Sequence, residues 1–147
     1  MNWNTRGALG QALVEFSLAI IVFLVLVMGV VDLGRGIYMY NAVSQAAREI
    51  ARVTSVHPGV DPTVKASWST QMASVVGTQQ KLVPNLGDPS IQCLAIDGVT
   101  PATCVSGNYV QVRIVAPYKA VTPLLGLAGT WNMSSVSLVQ IEAPLGN

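Results

Sequence analysis

Gly10-Gln-Ala-Leu-Val-Glu-Phe16, continued by Ser17-Leu-Ala-Ile-Ile-Val-Phe-Leu-Val-Leu-Val-Met-Gly-Val-Val31 and then by Asp32-Leu-Gly-Arg35, is the stretch whose reading decides the fold. No charge occurs from Phe16 to Val31. Sixteen helical residues rise only about 24 Å, short of the ~30 Å hydrocarbon core of a bilayer. A membrane span therefore has to borrow residues upstream, starting near Gln11, and this draws the carboxylate of Glu15 into its apolar end. A lone charge there costs several kcal/mol, so Glu15 needs a partner.

Working outward, Met1 to Gly10 is short and polar, with Arg6 ahead of the apolar run, and reads as a leader. A secretory signal would carry its small-residue cleavage site after the apolar region. Asp32-Leu-Gly-Arg-Gly36 lacks one, so the span is expected to remain in the mature chain. Beyond Val31 the helical period persists while the chemistry changes. Val43, Ala46, Ala47, Ile50, Ala51 and Thr54 recur at three and four, and Ser44, Ala47, Ala51 and Ser55 form an adjacent row of small residues that lets helices approach closely. The upper part of this stripe is expected to pack on the chain's own head and the lower part on other subunits. Gly29, Gly34 and Gly36 weaken the helix, predicting a bend or melted turn near Gly34, with Asp32 and Arg35 marking the membrane surface. His57-Pro58-Gly59 stops the helix.

Asp61-Pro62 predicts a second helix start, with Val64, Trp68, Met72, Val75 and Val76 at helical spacing and an end near Gly77. Residues 81–89 read as loop. From Ser90 the period falls to two, with Leu94 and Ile96 as one set of alternating apolar positions. Val110, Val112, Ile114 and Ala116 form the clearest strand, and 131–142 a third. Residues 123–129 read as a turn or loop. The expected architecture is α+β: a leader (1–10), a long helix (11–57) whose membrane stem is 11–33, and an extracellular head (58–147) with a short helix and a small antiparallel sheet of about three strands.

Composition limits the function. The chain has 147 residues, 51% of them apolar and 10% charged, with eight Lys and Arg against seven Asp and Glu. No basic cluster supports nucleic-acid binding. Cys93 and Cys104, the only cysteines, are expected to form a disulfide in an exported head, which places the C-terminus outside. Loop charges do not set the orientation, since Arg6 on one side faces Arg35, Arg48 and Arg52 on the other. With His57 the only histidine, no metal site is expected. No convergent catalytic set, phosphate loop or nucleophile elbow occurs, so neither an enzyme nor a cofactor is expected. Asp61, Asp88 and Asp97 sit at turns, and Trp68 and Trp131 are read as core or interface residues. Asn132-Met133-Ser134 matches a glycosylation sequon; such matches are common by chance, and an unmodified strand start is the expectation.

Gly10-Gln11 followed by Glu15 resembles the processing site of the type IV pilin superfamily. The longer strings Gly10-Gln-Ala-Leu-Val-Glu-Phe16, Gly29-Val-Val-Asp-Leu-Gly-Arg35 and Asn41-Ala-Val-Ser-Gln-Ala-Ala-Arg-Glu-Ile-Ala-Arg52 are similar to the TadE-like pseudopilins of tight-adherence pilus systems. The resemblance covers roughly the first third of the chain. It implies cleavage after Gly10 by a prepilin peptidase on the cytoplasmic side, a glycine suiting the extended backbone such an enzyme must thread. It also implies a new amine on Gln11 that meets Glu15 within or between subunits. Removing Arg6 would take the basic count from 8 to 7, equal to the 7 acids. The partners implied are further copies or other pilins, the peptidase, an inner-membrane assembly platform, and lipid before assembly. The function implied is a structural pilin or pseudopilin subunit, first single-pass in the membrane and then part of an extracellular filament. The alternative is a non-polymerising, membrane-anchored extracytoplasmic binding module.

Overall fold

A single helix, α1, runs from Trp3 to Val56, 54 residues, and at 1.5 Å per residue is about 81 Å long. The computed structural model describes residues 3–122 and 129–142, with side chains from Gly10 onward. The predicted turn at 123–129 lies, apart from Gly129, outside the described residues. α1 passes through Gly29, Gly34 and Gly36 without a break, so the melted turn expected near Gly34 is absent. Glycine's helical cost of about 1 kcal/mol each is outweighed by the cooperative ladder of so long a helix and, at Gly36, by contact with Tyr118 and Met133.

The helix ends at Val56, and His57 still donates its amide to the Val53 carbonyl at 2.7 Å. Gly59 then turns the chain back at φ +79°, and a Cβ built there would lie 2.2 Å from the Ser67 carbonyl oxygen. This allows Val60 N–H to reach Ser67 O at 3.1 Å and Ser69 Oγ to reach His57 O at 2.6 Å.

The second helix starts later than expected. The Asp61 carboxylate is taken up locally by the Thr63 amide and hydroxyl at 2.9 and 2.7 Å, as aspartate does in turns. A short 3₁₀ turn (Lys65–Ser67) follows, and the cap passes to Ser69, whose Oγ accepts from Met72 N at 3.1 Å. α2 spans Thr70–Leu82, beyond the expected end at Gly77. Gly77 faces open space and continues the helix, and the stop comes from Pro84, which holds Val83 extended at φ −110°, ψ 113°.

Three antiparallel strands follow in spatial order β1 (Ser90–Leu94), β2 (Tyr109–Lys119) and β3 (Thr130–Gln140). The fold is α+β, as expected. Val110, Val112, Ile114 and Ala116 are fully buried, the alternation read from sequence. In β1 the phase differs. Ile91 and Cys93 point inward, and Ile96, expected in the strand, is exposed, because the Asp97-Gly98 turn begins there and closes with Ala95 N–H on Thr100 O at 2.7 Å. The Cys93–Cys104 disulfide spans this connection, its Cα atoms 5.2 Å apart. β3 ends two residues before the expected 142. Ile141 is buried, and the Glu142 amide reaches Ser55 O at 3.1 Å.

One face of the sheet packs on the upper half of α1 and on α2, around Met39, Val43, Ala47, Ile50, Met72 and Val76. The lengths match: 11 strand residues in β2 extend about 37 Å, close to the ~35 Å that α1 climbs between Asp32 and Ser55.

Two outcomes follow from these turns. Gly59→Ala forces a side chain into the Ser67 backbone at positive φ and is expected to destabilise the head by roughly 1–3 kcal/mol, read from denaturant midpoints. Asp97 accepts from the Thr100 hydroxyl and from the Val99 and Thr100 amides, both amides at 2.9 Å. The hydroxyl first, and then the amides, hold its carboxyl below the ordinary value of 3.8. A lowered folded pKa gives stability that is present above the unfolded value and is lost as pH falls through the folded one. Acid titration of the isolated Asp97→Asn difference should therefore be flat at neutral pH and shrink below about pH 4.

Candidate functional site: the exposed stem and its junction with the head

Below the head, α1 has none of the described residues packed against it. From Gly10 to Val27 every residue is exposed, and the large side chains from Leu13 to Val31 keep between 39% and 70% of their surface open. Such a surface is unstable in water and stable in hydrocarbon or against other helices. The helix is long and apolar enough to cross a membrane. Its polar groups are few. Ser17 Oγ donates to the Val14 carbonyl at 2.8 Å, satisfying itself within the helix. Glu15 is exposed and is the one charge between Gln11 and Val31. Gln11 and Glu15 stand one helical turn apart on the same face. Gly10 lies within α1, with nothing within 4 Å of where its Cβ would be.

Where the stem meets the head, Asp32 is buried, only 4% exposed. Its carboxylate accepts from the Val121 amide at 3.0 Å, from the Thr122 amide at 2.7 Å, and from the Thr122 hydroxyl. The Arg35 guanidinium stands 3.6 Å away. Tyr118 donates its hydroxyl to the Asp32 backbone carbonyl at 2.9 Å. Gly36, one turn above Asp32, leaves the Tyr118 ring and the Met133 methyl in ordinary contact with the helix, at 3.8–4.0 Å from a Cβ position. Asp32 is thus the latch that fixes the lower end of β2 to the stem. From sequence, Asp32 and Arg35 read as markers of the membrane surface, and the latch is not legible there. The one local signal was an aspartate ending an apolar run with arginine three residues on; its partners lie about 90 positions away.

The remaining predicted residues are dispersed. Ala47 and Ala51 are fully buried and Ser55 nearly so, within the head's core, while Ser44 is half-buried and accepts from Arg48 at 3.3 Å. Cys93 and Cys104 close the β1–β2 connection at the far side of the sheet. Asn132 is exposed on β3 opposite Pro117. His57 is exposed at the end of α1, Trp68 is half-buried with its indole N–H on Pro62 O at 2.9 Å, and Trp131 is 51% exposed. Among the described residues no group of three or more His, Cys, Asp or Glu is placed to hold a metal. Two open grooves flank the junction. An apolar one of about 540 Å³ lies between α1 at Leu33, Gly36 and Ile37 and the sheet at Ala120, Trp131 and Met133. The other, of about 610 Å³, carries Arg35, Tyr38 and Lys119.

Residues 10–52 match the family model described as TadE-like protein. This confirms the TadE-like resemblance of the stem and of the helix above it, over 43 of the chain's 147 residues. No curated protein and no solved structure matches the chain.

Replacing the Asp32 latch by alanine strands two amides and a hydroxyl in a buried place. Asp32→Ala is expected to cost roughly 1–3 kcal/mol, and to speed hydrogen exchange at Val121 and Thr122 far more than at Val112.

Proposed function

We propose that this chain is a structural pilin or pseudopilin subunit of a tight-adherence pilus, held in the cytoplasmic membrane by residues 11–33 and then polymerised through α1 into an extracellular filament. The observation that carries the reading is the stem itself, some 20 residues of exposed apolar helix bearing a single carboxylate, within the segment that matches the TadE-like model. A plain anchor has no use for a charge at that depth, since the bilayer penalises it. A filament subunit has one. Cleavage by a prepilin peptidase after Gly10 creates an ammonium on Gln11, and pairing it with Glu15 of the same or a staggered neighbouring copy offsets the desolvation of both groups. The assembly platform then draws the neutralised stem out of lipid into a bundle of like stems, where exposed leucine, valine and isoleucine exchange lipid contacts for packing. The row of small residues higher on α1 contributes to the subunit's own core, so inter-subunit packing falls to the stem.

Two measurements test this scheme. Edman or mass sequencing of surface filaments is expected to return Gln-Ala-Leu-Val-Glu, with Gln11 free, cyclised or methylated. Glu15→Val is expected to insert in the membrane at the wild-type level and yet yield no surface filaments. Normal filaments from Glu15→Val would remove the assembly role of the carboxylate and leave the apolar packing of the stem sufficient by itself.

A further inference from the structure

We infer that the underside of the head, where β2 and β3 reach the stem, is a second membrane-contact surface that seats the unassembled subunit in the headgroup layer of the bilayer. The inference rests on the membrane stage of the proposed function and adds to it a surface outside the stem.

Depth along α1 provides the first step. The 21 residues from Gln11 to Val31 rise about 31 Å, the thickness of the hydrocarbon core, so the core boundary falls at Asp32. The interfacial layer above it is about 5–7 Å thick, the rise of residues 33–37. The Asp32 latch brings Val121 and Thr122 to this same level, through amide bonds of 3.0 and 2.7 Å. The lower end of the sheet therefore cannot stand clear of the membrane when the stem spans it.

The side chains at that level suit this position. Trp131 lines the apolar groove beside Leu33 and Ile37, and remains 51% exposed. Tyr38 is 74% exposed and Val121 71%. Arg35 and Lys119 share the second groove with Tyr38. Amphipathic aromatics next to Lys and Arg are what the headgroup region favours: indole and phenol rings sit at the boundary, and cations meet lipid phosphates. In water, the same set would leave an apolar groove of about 540 Å³ open at the base of an otherwise well-packed head. The occupant assigned to it is the lipid interface, with the acyl carbons nearest the headgroups filling the groove beside Trp131 and anionic phosphates meeting Arg35 and Lys119. Trp68, which packs against α2 and Pro62, belongs to the upper head and takes no part.

The test uses the full chain in vesicles of phosphatidylcholine and phosphatidylglycerol whose acyl chains are brominated close to the headgroup. Tryptophan emission is compared between wild type and Trp131→Phe, so that the difference spectrum reports Trp131 without altering Trp68. The expected result is a blue-shifted difference spectrum that loses intensity in brominated relative to unbrominated vesicles. Co-flotation with the vesicles reports the stem separately. A chain that floats with the vesicles while the Trp131 spectrum stays water-like and unquenched would overturn the inference and leave the anchorage standing. A chain that does not float would overturn both. Protection of Trp131 only in assembled filaments would assign the groove to a neighbour's stem and would likewise overturn the lipid assignment.

Discussion

A helix that exposes an apolar surface and is long enough to cross a membrane has to bond its backbone polar groups within itself, and the rest of the molecule is built on that constraint. The lower part of α1 meets it without a break, Gly29 included. The helix then continues upward as the spine on which the head is built. Gly34 and Gly36, just past the apolar run, stay within the same unbroken helix; Gly34 is open to solvent, while Gly36 lies against Tyr118 and Met133 of the sheet. One element thus presents a bare apolar surface below and a packed one above, and the latch at Asp32 marks where one gives way to the other.

The helix, the inward face of β2 and the disulfide were legible in the sequence because each is written locally. The period of three and four from Val43 to Thr54, the period of two from Val110 to Ala116, and two cysteines flanking a turn need no knowledge of distant partners. Sequence pattern and structure part where local groups compete for the same partners. Asp61-Pro62 looked like a helix cap, but Thr63 offers both an amide and a hydroxyl to the same carboxylate, and Ser69 caps the helix instead. Ile96 continued an apolar alternation that the Asp97-Gly98 turn interrupts. Gly77 looked like a stop, yet only Pro84 forces one.

At the candidate site, Gly10, Gln11 and Glu15 are singled out by their spacing along the chain, and the fold adds that they are exposed among the described residues. Asp32 could not. A carboxylate at the end of an apolar helix reads as a boundary marker, and its actual work depends on Val121 and Thr122 arriving from a strand whose register is set by pairing with β1 and β3. The exposed Trp131 likewise gains meaning only when β3, paired to β2, brings it beside Leu33 and Ile37.

The two ends of the sheet are tied to α1 at Asp32 below and at Ser55 above, and this has a mechanical consequence. A pull along the helix axis would ordinarily find its weakest point at Gly34 and Gly36, where the helix is least stable. Here that segment is bridged by a splint: β2 latches to Asp32 by the Val121 and Thr122 amides, and the exit of β3 latches to Ser55 by the Glu142 amide. Tension entering through the stem is shared between the helix and the sheet before it reaches the glycines, so the part of the rod that is chemically the most extensible is the part held by two load paths.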